Sequence, residues 1–174
     1  RAARWLAYAA ERFGEGVLPR SRLDGLLQGP VISHLLHFTE PGTGRELGTV
    51  LMHLEAPRVA YYYYAFHDLA GRDRNLGLGM MTRALEFFQA RGFTHLYLGT
   101  CVTEKALYKA QFHPLEFFNG LRWSRDVDEL KWLVRSPVAG THRMAQEDFL
   151  ARQLAPPARL AEASPFRAQP PPRA

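Results

Sequence analysis

The feature that constrains this chain most is a change of hydrophobic period across His67–Arg74, HDLAGRDR. On its N-terminal side, VISHLLHF (31–38), LGTVLMHLE (47–55) and VAYYYYAF (59–66) are rich in β-branched and aromatic residues, and the turn segments EPGTGRE and APR separate them. That pattern predicts three antiparallel strands in a meander. On its C-terminal side, Met81, Leu85 and Phe88 recur every three to four residues, predicting a helix over 78–90 that Gly92 stops. A chain that passes from sheet to helix through one Gly-bearing loop is confined to mixed α/β (α+β) folds.

The flanking segments extend this pattern. Trp5, Tyr8, Ala9 and Phe13 give residues 4–13 the spacing of a short amphipathic helix, with GEG as its stop, and SRLDGLLQG suits a second short helix. FTHLYLG reads as a strand and EKALYKAQF as a helix. LEFFNGLRW reads as a hairpin with Asn119-Gly120 as its two-residue turn, and DVDELKWLVR as a closing helix with Asp126 as N-cap. One more helix, MAQEDFLARQL, precedes a tail dominated by Pro and Ala over about 155–174, which is expected to be disordered. The organisation expected is an N-terminal helical segment over 1–30, a main domain over 31–135 and a C-terminal extension over 136–174.

The chain has 174 residues, 47% of them hydrophobic, enough for one domain with a real core. No apolar run approaches the ~18–20 residues that cross a bilayer, and RAARWLAYAAERF lacks a signal peptide's apolar core, so a cytoplasmic protein with no membrane partner is expected. The sequence begins with Arg1 rather than Met and is read as open to being a fragment. Cys101 is the sole cysteine, which excludes an intramolecular disulfide and a cysteine cluster for zinc or iron–sulfur within these residues; no metal is expected. Of the +5 formal charge, +3 lies from Arg135 onward, where six Arg face Glu147, Asp148 and Glu162. The basic balance therefore argues only weakly for extensive RNA binding by the domain.

Between strand and helix stands Arg74-Asn75-Leu76-Gly77-Leu78-Gly79-Met80. Backbone N–H groups at a helix start have no intrahelical partner, and the helix dipole favours an anion there. Gly77 and Gly79 permit close backbone approach, and Arg74 supplies a charge-assisted contact to phosphate. A dinucleotide fingerprint is excluded because G-x-G-x-x-G needs Gly where Thr82 stands.

Three antiparallel strands, helix, strand, helix and hairpin are the element order of the GNAT N-acetyltransferase superfamily, and Arg74-x-x-Gly77-x-Gly79 resembles its Arg/Gln-x-x-Gly-x-Gly/Ala pyrophosphate motif. The resemblance implies a GNAT acyltransferase fold, a mixed and mostly antiparallel sheet flanked by helices, with the donor held where two adjacent strands splay apart. Residues 61–123 also resemble the C-terminal domain of arginyl-tRNA–protein transferases, the N-end rule aminoacyltransferases. The most specific segment is Tyr108-Lys109-x-Gln111-Phe112-x-Pro114-Leu115-Glu116, similar to that family's Tyr-Lys-x-Arg/Gln-Phe/Tyr-Arg-Pro. Acetyltransferases instead carry Leu-Tyr-x-x-x-Gly-Phe there. The loop departs the other way: the arginyl-transferase turn looks like Ser-Leu-Gly-Thr, without the Arg and second Gly that hold coenzyme A. The resemblance does not extend to that family's cysteine-bearing N-terminal domain.

The two resemblances imply two donors, aminoacyl-tRNA or acetyl-CoA, with a protein N-terminus or a small-molecule amine as acceptor. Either reaction is attack of a neutral amine on an acyl carbon, needing a proton acceptor and an acid for the leaving group. Tyr108 aligns with the acetyltransferase acid; His67 and Glu116 are the candidates for base or amine contact. Tyr61 to Tyr64 are expected to alternate faces, so that Tyr62 and Tyr64 line a cleft and stack on the terminal adenosine of a tRNA, while Lys109 and Gln111 contact substrate. A third reading, from another class, is a noncatalytic domain that binds aminoacyl-tRNA or a peptide terminus.

Overall fold

Thr49, Val50, Leu51 and Met52 are completely buried, so the strand that carries them needs cover on both faces and a partner on both edges. The computed structural model, which describes residues 1–69, 75–136 and 146–153, supplies them. The chain forms two compact units, Arg1–Thr100 and Cys101–Ala174.

The first unit is a four-stranded sheet in the order β1-β2-β3-β4, with β1 (His34–Thr39), β2 (Glu46–Glu55), β3 (Val59–His67) and β4 (His95–Tyr97). The first three strands form the expected antiparallel meander, and β4 adds in parallel. Helices α1 (Ala2–Phe13), α2 (Arg20–Gln28) and α3 (Leu76–Gln89) accompany it. The fold is thus mixed, with a mostly antiparallel sheet flanked by helices. The spacing of Trp5, Tyr8 and Ala9 brings all three onto one buried stripe of α1, where Trp5 stacks on Phe66 at 5.2 Å. Met80, Met81, Ala84 and Phe88 make the buried stripe of α3. At Gly48 a Cβ would lie 2.6 Å from Met80 Sδ and 2.7 Å from the Phe66 carbonyl oxygen, so only glycine lets that methionine reach the sheet.

Two irregularities shape this unit. Leu51 pairs with Tyr64 and Met52 with Tyr62, leaving Tyr63 as an extra residue in a β-bulge. β4 pairs with β3 only at Val59, Ala60 and Tyr61; Gly99, at φ +78°, then turns the chain. From Tyr62 to His67, β3 runs on without β4 beside it.

The second unit holds a 3₁₀ helix (Glu104–Gln111), a hairpin of β5 (Phe117–Phe118) and β6 (Trp123–Ser124), α4 (Val127–Arg135) and α5 (Glu147–Gln153). Asp126 caps α4 as expected, its carboxylate accepting from the N–H groups of Asp128 and Glu129. Two expectations change. EKALYKAQ winds as 3₁₀ rather than α; none of its residues is buried, so it lacks the apolar face that stabilises most α-helices. The hairpin exists, but Phe118 faces Trp123, so its loop is the four residues 119–122 rather than Asn119-Gly120. Asn119 is turned inward at 4% exposure: its Oδ1 accepts from Leu121 N and Arg122 N at 2.8 Å each, and its Nδ2 donates to Glu129 Oε1 at 2.7 Å. The tail expected to be disordered lies outside the described residues.

Candidate active site

His67 closes β3 where that strand has left β4 behind. Its Nδ1 lies 3.2 Å from the carbonyl oxygen of Asp68, which can only accept, so Nδ1 carries the proton and Nε2 is the basic nitrogen of the neutral ring. The imidazole meets Tyr8 edge-on at 5.0 Å, and its Nε2 is 3.0 Å from where a Cβ on Gly77 would stand. Gly77 is therefore the residue that lets His67 pack against the start of α3. At Gly79 nothing lies within 4 Å of such a Cβ, so its surroundings are open.

Asn75 enters α3 in the left-handed region, at φ 48° and ψ 39°, with no side-chain capping bond. The first bond of the helix runs from Gly79 N to Asn75 O at 2.9 Å, so the N–H groups of Leu76, Gly77 and Leu78 precede the intrahelical ladder. Met80 belongs to the core, at 2% exposure. Arg74 lies outside the described residues.

Beside His67 opens a cleft of about 420 Å³, lined by Trp5, Tyr8 and Glu11 of α1, by Arg45, Glu46 and Gly48, and by Phe66 and Asp68. Its charges alternate. Arg45 bridges Asp68 at 3.2 Å and Glu40 at 3.4 Å, while Glu46 takes Arg1 at 3.3 Å, Arg4 at 3.2 Å and the Thr49 hydroxyl at 3.0 Å. Burial works to raise the Glu46 pKa, but the Thr49 hydrogen bond and the two guanidiniums outweigh it and hold the carboxyl below the ordinary value of 4.5. The cleft thus presents both signs of charge, engaged in ion pairs, beside the His67 imidazole.

The bulge at Tyr63 alters what the four tyrosines do. Tyr64 joins Tyr63 against the α1 core, stacking on Phe66 at 6.1 Å and meeting Phe13 at 5.9 Å. Tyr62, buried at 5% exposure, stands opposite Met52 and outside that cluster. Strict alternation would have put Tyr62 and Tyr64 on one face; the extra residue separates them.

The remaining candidates belong to the second unit. Tyr108 is 48% exposed on the 3₁₀ helix, and Gln111 Nε2 donates to its carbonyl oxygen at 2.6 Å. Burial lowers the Lys109 pKa below its ordinary 10.5, and Cys101 works in the opposite sense. Burial likewise raises the Cys101 thiol, against the pull of Lys109. Glu116 is held by Arg125, whose Nε lies 2.8 Å from Oε1. Sequence reasoning missed the α1 and β2 side of the cleft, because Tyr8, Arg45 and Glu46 carry no motif. Among the described residues no three His, Cys, Asp or Glu side chains gather to hold a metal, and no helix is long and apolar enough to cross a membrane.

These features define a mixed α/β chain with a parallel strand pair that parts after Tyr61 and a histidine-bearing cleft at the C-terminal end of β3. Comparison with known proteins finds partial similarity to aminoacyltransferases. The chain is 37% identical over 62 residues to the aspartate/glutamate leucyltransferase of Stenotrophomonas maltophilia strain K279a, a match covering 34% of this chain and 25% of that protein. It is 29% identical over 96 residues to the aspartate/glutamate leucyltransferase of Rhodospirillum rubrum, covering 54% of this chain and 39% of that protein. The matches thus span only about a quarter to two fifths of the length of these curated relatives. No family model matches, and no solved structure matches significantly.

Proposed function

We propose that this chain is an aminoacyltransferase of GNAT-like fold that moves an amino acid from aminoacyl-tRNA to the N-terminal amine of a protein. The observation that carries the reading is the parting of β3 from β4 after Tyr61, with His67 and the start of α3 at the C-terminal end of the same strand. A strand edge that loses its neighbour offers backbone N–H and C=O groups to an extended donor, which is how the GNAT resemblance implies the donor is held. The names of the similar proteins, aspartate/glutamate leucyltransferases, favour as the finer form a leucyl group transferred to Asp or Glu. Arginyl transfer, implied by the YKAQFHPLE resemblance, is the second form.

The chemistry asks little of the protein. The amine nitrogen bonds to the ester carbonyl carbon, the bond from that carbon to the ribose oxygen breaks, the amine loses a proton and the ribose oxygen gains one. His67 Nε2 takes the amine proton, and Asp68 and Glu46 attract the incoming ammonium into the cleft. Arg45 pairs with an acidic side chain of the acceptor. A positioned base of this kind contributes roughly 10²–10⁴-fold.

Thermal unfolding in the presence of each donor tests the reading. Stabilisation by tRNA that weakens steeply as salt rises is expected. Stabilisation by coenzyme A with none by tRNA overturns it in favour of acetyl transfer, for which Gly77-x-Gly79 is the favouring feature.

A further inference from the structure

Glu46 reaches the cleft through an irregularity in its own strand. Phe38 pairs with Gly48 and Thr39 with Glu46, so Leu47 is the extra residue of a bulge in β2. In a regular strand, residues three apart point to opposite faces. Here the extra residue turns Glu46 to the side of Thr49, and the Thr49 hydroxyl meets Glu46 Oε1 at 3.0 Å. Directly across the ladder from Thr49 stands His37 of β1, whose Nδ1 lies 2.9 Å from the same hydroxyl.

The protons in this chain of three groups follow from their chemistry. A hydroxyl has one hydrogen and an ionised carboxylate only accepts, so Thr49 donates to Glu46. Its oxygen is left to accept, and His37 Nδ1 carries the hydrogen it takes. The two carboxylate oxygens of Glu46 are held unequally. Oε2 takes Arg1 at 3.3 Å and Arg4 at 3.2 Å, whose side chains are 58% and 70% exposed, and ion pairs so open to water contribute little. Oε1 is held by a residue with no exposure at all. An incoming cation can displace the guanidiniums; it cannot displace Thr49.

We infer that Thr49 and His37 are positioning residues that hold Glu46 aimed into the cleft, so that its carboxylate receives the ammonium of the acceptor in place of Arg1 and Arg4. The inference rests on the proposed amine acceptor and adds two residues that no motif marks. Thr49 is enclosed and His37 acts through it, so neither is catalytic. The same contacts bear on the charge of Glu46: burial works to raise its pKa, and the Thr49 hydrogen bond, Arg1, Arg4 and His37 together hold it below 4.5.

The test follows the Glu46 carboxyl by carbon-13 NMR through an acid titration of the full chain, with Glu46→Gln assigning the signal. Thr49→Val removes the hydroxyl at nearly constant shape and Thr49→Ser keeps it. His37→Val removes the imidazole from an exposed position on the edge strand, keeps a strand former, and carries the test alone where Thr49→Val fails to fold. Glu11, Arg45 and Asp68, which share the cleft with Arg4 and Glu46, are present in every variant. The Glu46 midpoint should rise in Thr49→Val, rise less in His37→Val, and stay near its original value in Thr49→Ser. In transfer assays, KM for a peptide beginning with Asp or Glu should rise about fivefold in Thr49→Val with kcat within about twofold, and recover in Thr49→Ser. Adding Thr49→Val to Glu46→Gln should raise KM no further. A midpoint that does not move, or a KM that rises equally in the Glu46→Gln background, overturns the positioning role while leaving aminoacyl transfer standing. If the midpoints move as expected but the original chain transfers no amino acid to any peptide, the proposed function fails and the acceptor role of Glu46 fails with it.

Discussion

At the scale of single residues, Gly77 and His67 are read differently once their distance is known. In sequence, Gly77 belongs to a phosphate-type loop; in the folded chain its missing Cβ makes room for an imidazole at 3.0 Å. Two effects then oppose each other in Gly77→Ala: helix propensity favours Ala by roughly 0.5–1 kcal/mol, and crowding of His67 costs a comparable amount. Urea unfolding should show little net change for Gly77→Ala alone but stabilisation by about 0.5–1 kcal/mol when it is made in a His67→Ala background. Equal effects in both backgrounds would refute the contact. Lys109 makes a second prediction. Its folded pKa lies below the ordinary 10.5 because burial disfavours the ammonium, so that cost is fully present below the folded pKa and disappears as pH rises to 10.5. The stability of Lys109→Met relative to the original chain should therefore be greatest near neutral pH and decline through the alkaline range. A pH-independent difference in thermal unfolding would count against buried charge.

At the scale of elements, the sequence announced most of what formed and missed what depends on contacts distant along the chain. The three strands, α1 with its Trp5–Tyr8–Ala9 stripe, the crossover helix and the Asp126 cap were all legible, because each follows from a local period or a capping residue. The Tyr63 bulge was not: four tyrosines in a row carry no mark of which one is extra, and the register is decided by Leu51 and Met52 across the ladder. The same holds for the hairpin. Asn119-Gly120 is a strong local turn signal, yet Asn119 is drawn inward by Glu129 and Gln153, residues of α4 and α5. Glu129 also receives the Ser124 hydroxyl at 2.6 Å. Asn119→Ala strips two turn N–H groups of their acceptor and Glu129 of a donor, and should destabilise the chain by about 2–3 kcal/mol in chemical denaturation. A loss under about 0.5 kcal/mol would mean that the network is incidental to the hairpin.

At the scale of the whole molecule, the candidate residues divide between two units. His67 and residues 75–80 lie in the first; Tyr108, Lys109, Gln111 and Glu116 lie in the second. The sequence put His67 on the list but could not supply the cleft around it, whose walls come from α1 and from the start of β2. The partial similarity to leucyltransferases supports the proposed aminoacyl-tRNA donor. The most direct test of the central claim is mass spectrometry of peptides beginning with Asp or Glu, incubated with the full chain, tRNA charged with leucine or arginine, and acetyl-CoA in parallel. The account predicts a mass increase of one amino-acid residue at the peptide N-terminus in a tRNA arm, lowered roughly 10²-fold or more in rate by His67→Ala. An acetyl increase in the acetyl-CoA arm, with no aminoacyl product in either tRNA arm, would contradict it.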